Sequence, residues 1–473
     1  SAKVFRSSLP CNYGTQFSNR ILFKIKLTLN YNTILYYLPQ KMKKLKKNFF
    51  SIFLTIYLVV GCFASLNTGI SFDEYHEEKN WRFHVKLTKN LTNYLLFNED
   101  YDSSLEKKYE INYLGYGVGF QIISQPIQFL ITKLPINNPS LNDYGAHLTA
   151  KHLVVFLFFF LSGVFVYLIL MKIINDRIFC SFTVILYLLY PYLFGQSLFS
   201  PKDVPFMSVW VLSTLVSFNF FEKILEKKNI NTVNTMIFSL VTAYLISIRI
   251  AGILIFIQYL ITFLIFIISQ KISFTKFIKE YYLSIIIFFI FLIFFTFLLY
   301  PPFWTNPLLF FSAIDHMSNY FNDVCTNTLG SCMHPKNLPP TYIPIWLSVK
   351  LPLIIIFGIL LLPFTEKKIF VDIKRNIFVG TILLTSILIP LILILRKVHL
   401  YDELRQVMFL IPMFFIVGTI SFSVFSKKLF YIVGTVMISL FIFENIKIHP
   451  YQYVWFNLPS RAIHLTKQFE LEY

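Results

Sequence analysis

The residues best suited to chemistry in this sequence lie at 71–78, Ser-Phe-Asp-Glu-Tyr-His-Glu-Glu, just after the first long apolar run. Four carboxylates and a histidine fall within six positions here. A carboxylate beside a hydroxyl can act as a general base, and two carboxylates can bind a hard cation. We expect Asp73 and Glu74 to serve such a site, although they could also be the solvated start of a loop. We expect Glu77 and Glu78 to face water.

Further charged residues stand at the ends of apolar runs. The turn 200–205, Ser-Pro-Lys-Asp-Val-Pro, is fixed by prolines and holds Lys202 and Asp203. Asp203 could meet Asp73 and form a tentative Mg²⁺ or Mn²⁺ site, or the turn could only cap the next helix. Arg249 and Arg405 present planar forks that suit phosphate oxygens, or they could snorkel to lipid headgroups.

The segment 449–457, His-Pro-Tyr-Gln-Tyr-Val-Trp-Phe-Asn, follows the last apolar run. The polar tips of His449, Tyr451 and Gln452 suit sugar hydroxyls, and the aromatic rings could equally form an interfacial belt. The sequence has no Walker phosphate loop, because 115–119 lacks the Lys-Ser/Thr that must follow the glycines, and it has no Gly-x-Ser-x-Gly elbow. This argues against an ATP-driven pump and against a serine hydrolase.

The five cysteines do not form a disulfide framework. Only Cys325 and Cys332 share a polar loop, and they could pair if that loop faces an oxidising compartment. The His and Cys residues of this loop lack the spacing of a zinc site.

The composition indicates a membrane protein. Of 473 residues, 56% are hydrophobic and only 14% are charged, whereas soluble domains are about 25% charged. Several apolar runs reach about 20 residues, which is enough to cross a hydrocarbon core at about 1.5 Å per residue. We therefore predict an all-α polytopic membrane protein.

We predict eleven membrane spans. They cover residues 49–66, 152–171, 178–198, 205–222, 233–248, 252–269, 281–300, 343–363, 376–395, 406–425 and 429–445. The stretch 233–268 is divided at Arg249 because one helix over it would be about 54 Å long, nearly twice the hydrocarbon thickness. Helical spacing also predicts interfacial helices at 84–97 and 121–134.

The charge distribution predicts the orientation. The net charge is +18, and residues 1–48 hold ten Lys or Arg and no acid. Most of the remaining excess lies in short loops between spans, which is the positive-inside pattern rather than a nucleic-acid surface. The large first and fourth outer loops, 67–150 and 301–342, then face outward with the C-terminus.

We expect one membrane domain over 42–457. Residues 1–41 would be a non-native or disordered leader, and 458–473 the start of a truncated extracytoplasmic segment.

Six motifs occur in an order known from one superfamily. They are Asp73-Glu74, Asp203 in the turn 200–205, Arg249-Ile250-Ala251-Gly252, Pro339-Pro340-Thr341-Tyr342, Tyr401-Asp402 with Arg405 before Phe409-Leu410-Ile411-Pro412, and His449-Pro450-Tyr451-Gln452-Tyr453. On these motifs, residues 45–473 resemble the GT-C superfamily of polyprenyl-phosphate-dependent glycosyltransferases. The nearest branch looks like the bacterial relatives of protein O-mannosyltransferases and of the lipid A aminoarabinose transferase. One departure is Gln406, where relatives often have His.

The resemblance implies a GT-C bundle in the inner (plasma) membrane with its active site on the extracytoplasmic side. The donor would be a polyprenyl-phosphate sugar, the acceptor a lipid, protein or glycan, and neither a nucleotide nor a nucleic acid would take part. Asp73 would be the general base, Glu74 would orient it or the acceptor, and Asp203 would orient Lys202 or help hold a divalent cation. The donor phosphate would bind Lys202, Arg249 and Arg405, and the substrates would bind Tyr401, Asp402, His449, Tyr451 and Gln452.

The main alternative is a transporter or flippase for a lipid-linked saccharide. Its usual signatures are internal repeats and charged residues within spans. We see no repeat in the sequence, and its charges cluster at the outer rim. A structural membrane subunit is a third possibility, but it leaves the clustered acids without a role.

Overall fold

A computed structural model describes residues 49–133, 143–228, 230–319 and 324–470. The predicted leader 1–41 lies outside these residues, as does the end of the predicted C-terminal segment. The chain divides into two compact units, 1–59 and 60–473. Only the first part of one apolar helix is described in the first unit, and the candidate site belongs to the second.

Helices account for most of the described residues. They are α1 (Phe49–Leu66), α2 (Phe72–Phe97), α3 (Ser104–Asn112), α4 (Gly119–Ile131), α5 (Asp143–Ile173), α6 (Arg177–Leu189), α7 (Pro191–Ser197), α8 (Asp203–Leu225), α9 (Thr232–Ile248), α10 (Ile255–Gln270), α11 (Phe274–Leu299), α12 (Leu309–Asn319), α13 (Tyr342–Lys350), α14 (Leu353–Leu360), α15 (Leu362–Ile369), α16 (Ile373–Leu395), α17 (Ile411–Phe425), α18 (Lys427–Lys447) and α19 (Leu458–Ala462). Short 3₁₀ helices at Ile250–Leu254 and Arg405–Leu410 lead into α10 and α17.

Eight of the described helices are long and apolar enough to cross a membrane, counting each 3₁₀ lead with its helix. The number rises to ten if each of two bent pairs, α6 with α7 and α13 with α14, is one span. The prediction of an all-α polytopic membrane protein is therefore confirmed. The remaining predicted span, 233–248, corresponds to α9, a shorter apolar helix of 17 residues, so the count of eleven stays a prediction.

Two predicted spans are broken by proline. The predicted span 178–198 bends by 62° between α6 and α7, and the predicted span 343–363 bends by 119° between α13 and α14. The residues before the two prolines, Tyr190 and Leu351, have extended ψ values of 114° and 141°. Proline disfavours the helical conformation of the residue before it, so each of these two predicted spans bends at its proline.

The predicted break at Arg249 is confirmed. Helix α9 ends at Ile248, and Arg249 is extended with φ −145° and ψ 132°. Gly252 N then donates to Arg249 O at 2.8 Å. A Cβ at Gly252 would lie 2.8 Å from Ile246 N, so only glycine allows the chain to turn so close to α9. The turn leaves the Arg249 side chain at a helix end.

The outer segment after α1 contains α2, α3 and α4. The predicted interfacial helix 84–97 is the second half of α2, and the one at 121–134 is α4. Buried apolar side chains pack α2 and α3 against the C-terminal ends of α9 and α11 and against α12. They are Phe83, Leu87, Leu91, Leu105, Tyr109, Ala243, Ile246, Ile250, Leu292, Phe295, Tyr300, Phe303 and Ala313. This cluster fixes α2, whose first turn carries Asp73.

A small hairpin occupies the later outer loop. Strands β1 (Thr326–Thr328) and β2 (Ser331–Met333) pair antiparallel, and a disulfide joins Cys325 to Cys332. The C-terminal segment runs beside this hairpin, because Gly330 N donates to Gln468 O at 2.8 Å. The hairpin thus ties the later outer loop to the end of the described chain.

Candidate functional site

The centre of the candidate site is the guanidinium group of Arg405. Its Nη2 donates to Asp73 Oδ2, its Nε to Asp203 Oδ2 at 3.3 Å, and its Nη1 to Asp402 Oδ2 at 3.4 Å. The three carboxylates come from the start of α2, the start of α8 and the turn before Arg405 itself. The side chain of Arg405 is 13% exposed, so this contact is shielded from water but remains accessible.

A second arginine reaches the same cluster through Asp203. Arg249 Nη1 donates to Asp203 Oδ1, and Ser200 Oγ donates to Oδ2 at 3.5 Å. Asp203 is buried and therefore bridges two guanidinium groups. The structure thus brings Asp73, Asp203, Arg249 and Arg405 together, although Asp73 and Asp203 meet through Arg405 rather than directly.

The pKa values of Asp402 and Asp73 are shifted in opposite directions from their ordinary values. Burial raises the pKa of the Asp402 carboxyl, with a smaller rise from neighbouring carboxylates, and Arg405 only partly opposes this. Burial acts upward on Asp73 as well, but the attraction of Arg405 and nearby cations outweighs it, and the pKa of Asp73 lies below its ordinary value. Asp73 is therefore held ionised, and it becomes a stronger base if Arg405 turns to another anion.

Lys202 lies beside the cluster but has a different partner from the one expected. Its Nζ is 2.9 Å from Glu77 Oε1 and 4.3 Å from the centroid of the Tyr116 ring. Gln121 Nε2 donates to the other Glu77 oxygen at 2.8 Å. The expectation that Asp203 orients Lys202 is therefore wrong, because Glu77 does so.

Glu77 and Glu78 do not face water, contrary to expectation. Both are buried, and Glu78 accepts from Gln125 at 3.0 Å and lies 3.3 Å from Lys151 Nζ. Residues three and four positions apart share one face of a helix. The face that carries Glu74 is turned toward α4 and α5, whose polar and cationic side chains neutralise the acids.

We expect Glu78→Gln to destabilise the protein and to weaken its sensitivity to acid. Burial acts to raise the pKa of Glu78, but hydrogen bonds and the charges of His147, Lys151 and Arg82 lower it to about 2. Because the folded value lies below the ordinary one of about 4.3, this stabilisation is complete above that pH and is lost as pH falls toward 2. The substitution also leaves Lys151 buried and unpaired, which costs about 3–5 kcal/mol.

Unfolding temperatures of the detergent-solubilised protein, followed by tryptophan fluorescence from pH 7 to pH 2, measure both effects. Glu110→Gln, at an exposed position of α3, is the matched control. A Glu78→Gln protein with the wild-type unfolding temperature and pH dependence would contradict this reading.

Glu74 fixes the turn that carries Asp73. Its Oε1 accepts from Ser71 N at 2.7 Å, and its Oε2 lies 2.8 Å from Nε2 of His152. His152 and Glu74 are both fully buried, and Nδ1 of the same histidine contacts Ser65 O at 3.1 Å. Glu74 therefore has protein partners on both oxygens, and this favours the reading in which it orients Asp73 over one in which it contacts the acceptor.

The residues present do not fit a Mg²⁺ or Mn²⁺ site at Asp73 and Asp203. Nitrogen atoms of Arg405 lie against one oxygen of each carboxylate, which places a positive charge where the cation would stand. Over the described ranges, no group of three or more His, Cys, Asp or Glu side chains is arranged to hold a metal ion.

The segment 449–453 packs against α7 and α18 rather than against the carboxylates and arginines of the site. Gln452 is buried and donates to Asn445 O at 2.8 Å, with His449 Nδ1 at 3.1 Å. A Cβ at Gly195 would lie 2.2 Å from Tyr453 N, so α7 touches this backbone directly. Gln452 therefore ties the segment to α18, while the backbone of the segment packs on α7, the helix that leads into the turn of Asp203.

The other predicted substrate contacts are divided between two places. Tyr451 is 60% exposed, and Tyr401 is half-buried in the turn of Asp402 and Arg405. Of these residues, Asp402 contacts Arg405 directly. Their roles in substrate binding stay predictions.

Several charged residues near the site did not figure in the sequence analysis. Lys151 and His152 of α5 contact the acids of α2, and a buried ion pair joins Lys350 to Glu403, which precedes Arg405 by two residues. The available signal was the presence of Lys and His inside or beside apolar runs, because such groups need a partner.

The chain matches no protein-family model, and no curated protein matches it. Membership of the GT-C superfamily therefore stays a proposal. The function must be inferred from the residues of the site.

Proposed function

We propose that the protein is a membrane glycosyltransferase that moves a sugar from a polyprenyl-phosphate donor to an acceptor hydroxyl on the extracytoplasmic side. The observation that carries this proposal is the ion pair of Asp73 and Arg405 beside Asp203 and Arg249. Such a cluster offers an ionised base next to two guanidinium groups, which are the preferred partners of phosphate.

Helix order supports an outward-facing site. Asp73 follows α1, Asp203 begins α8, Arg249 ends α9, and Arg405 begins the lead into α17. If α9 and each bent pair cross the membrane once, these four residues lie on one face. The Lys- and Arg-rich loops lie on the other, as the positive-inside rule requires of the cytoplasmic face.

In the proposed reaction the donor phosphate binds Arg405 and Arg249 and draws Arg405 away from Asp73. Asp73 then accepts the proton of the acceptor hydroxyl while the hydroxyl oxygen forms a bond to the anomeric carbon. The bond from that carbon to the phosphate oxygen breaks, and the guanidinium groups stabilise the charge on the leaving polyprenyl phosphate. A single displacement inverts the anomeric centre.

The pH dependence of transfer tests the exchange of partners at Arg405. In the free protein the pKa of Asp73 lies below its ordinary value because Arg405 and nearby cations outweigh burial. Bound phosphate removes that attraction, so the pKa of Asp73 rises in the complex. We expect the acid limb of kcat to lie at higher pH than that of kcat/KM, which reports the free protein. Coinciding limbs would show that Arg405 does not change partner.

The direct test uses purified protein in vesicles with polyprenyl-phosphate sugars that carry labels on the sugar and on the lipid. We expect loss of the labelled sugar from the lipid, with appearance of free polyprenyl phosphate. Movement of intact donor across the bilayer without bond cleavage would instead identify a flippase. A protein that does neither with any such donor would refute the proposal.

We expect transfer to continue at the same initial rate in excess EDTA. The reason is that Arg405 supplies the positive charge between Asp73 and Asp203. The same vesicle assay, run with and without chelator, gives the measurement. A loss of rate in EDTA that added Mg²⁺ or Mn²⁺ restores would show that a cation serves the site after all.

A further inference from the structure

Lys350 places an ammonium group in the protein interior at the bend between α13 and α14. Its side chain has no exposed surface, and its Nζ lies 2.9 Å from Glu403 Oε2 and 3.4 Å from Tyr453 O. The ring centroids of Phe456 and Tyr192 lie 4.2 and 4.9 Å from Nζ. Ionisable groups in apolar membrane segments are costly, and by default they mark a function.

The partner of Lys350 belongs to the turn that presents Arg405. Asp402 and Glu403 have φ values of 54° and 62°, a left-handed conformation that residues with a Cβ adopt only when other contacts hold them there. One such contact is the Lys350–Glu403 pair, and another is the hydrogen bond from Asp402 N to Thr326 Oγ1 at 3.1 Å.

We propose that Lys350 is a positioning residue whose ion pair with Glu403 holds this turn and aims Arg405 at Asp73 and Asp203. Stability alone does not account for the pair, because neutral residues of similar volume are usually at least as stable as a buried ion pair. The consequence for catalysis rests on the function proposed above, in which Arg405 binds the donor phosphate.

The test compares Lys350→Met, Glu403→Gln and the double variant. Each single variant removes one charge of the pair, so the other buried charge loses this counter-charge and the protein unfolds at lower temperature. The double variant has no charge at either of these two positions, so its unfolding temperature returns toward the wild-type value. Its transfer rate stays about 100-fold low, since a displacement of about 1 Å at a site can cost that much.

Amide hydrogen exchange supplies a readout that does not depend on transfer. Peptides covering 400–410 should exchange faster in the double variant, with little change elsewhere. Lys89→Met, at an exposed position of α2, is the control and should leave exchange of this segment unchanged. Wild-type exchange of 400–410 in the double variant, or transfer at the wild-type rate, would overturn the proposal.

Failure of the proposed function and failure of the positioning role of Lys350 can be told apart. Should the wild-type protein transfer no sugar, the proposed function fails, and the exchange measurement alone decides the role of Lys350. Should the double variant not fold, Glu403→Asp replaces it, because this change keeps both charges but shortens the side chain by one methylene and so moves the carboxylate away from Lys350. It should lower transfer about tenfold and loosen the same peptides, and wild-type behaviour in both measurements would refute the positioning role.

Discussion

Asp73→Asn is expected to lower the rate of sugar transfer by about 10²–10⁴-fold, the usual contribution of a general base, while the protein still inserts and folds. The amide keeps the shape of the carboxylate but cannot take the proton of the acceptor hydroxyl. Steady-state transfer in vesicles, with the amount of protein corrected by its folded fraction, gives the measurement. Donor binding should change little or tighten, because the substitution frees Arg405 for the phosphate.

The exposure of Asp73 makes this a test of chemistry rather than of folding. The Asp73 side chain is 46% exposed, and Arg405 keeps its contacts with Asp203 and Asp402 when Asp73 is replaced, so we expect little change in stability. Asp100→Asn, at an exposed position in the same outer segment, provides the control and should transfer at the wild-type rate. Transfer at the wild-type rate by Asp73→Asn would end the assignment of this residue as the base.

The sequence alone predicted the helical class and that charged residues from distant parts of the chain gather at one site. Length and hydropathy located apolar spans, and the basic loops predicted their direction, so that Asp73, Asp203 and Arg405 were expected on one side. The structure brings these residues into contact. The break at Arg249 was also predictable, because one helix through it would be too long for the membrane.

The bends of the spans and the partners of the buried acids were not predictable from hydropathy and charge patterns. Tyr190-Pro191 and Leu351-Pro352 lie within continuous apolar runs, and hydropathy alone cannot tell a straight span from one that bends by 119°. Glu78 was expected to face water because its partner Lys151 lies 73 positions away in the chain. A sequence pattern gives the helix face but not the side chains that the face meets.

Lys202 was expected to pair with Asp203 but pairs with Glu77, and this error has the same origin. Lys202 and Asp203 are adjacent in the chain and were expected to interact. Asp203 begins α8, and its side chain turns to the two arginines instead. Lys202 points to α2 and pairs with Glu77, so proximity in sequence gave the wrong partner.

Substitution of Arg405 is expected to lower the transfer rate about as much as Asp73→Asn does. It tests whether the shape of the guanidinium group matters as well as its charge. Three of its nitrogen atoms each contact a different carboxylate, and the one nitrogen of a lysine ammonium group cannot occupy these three positions of a planar fork. We expect Arg405→Lys to lose nearly as much transfer as Arg405→Ala, about 10²–10³-fold in kcat, as is typical when a preorganised donor to developing charge is removed. The KM for the donor should rise in both variants.

Comparison of Arg405→Lys with Arg249→Lys separates the effect of the shape of the guanidinium group from that of its charge. Arg249 contacts Asp203 through one nitrogen, so Arg249→Lys should retain more activity than Arg405→Lys. Arg396→Lys, at an exposed position after α16, should behave as wild type. Added methylguanidinium should restore part of the activity of Arg405→Ala, because it returns a planar fork to the space between Asp73 and Asp203, whereas methylammonium should not. Equal rates for Arg405→Lys and the wild type would show that the site needs only a positive charge there. The proposed binding of the donor phosphate by the guanidinium group of Arg405 would then be wrong.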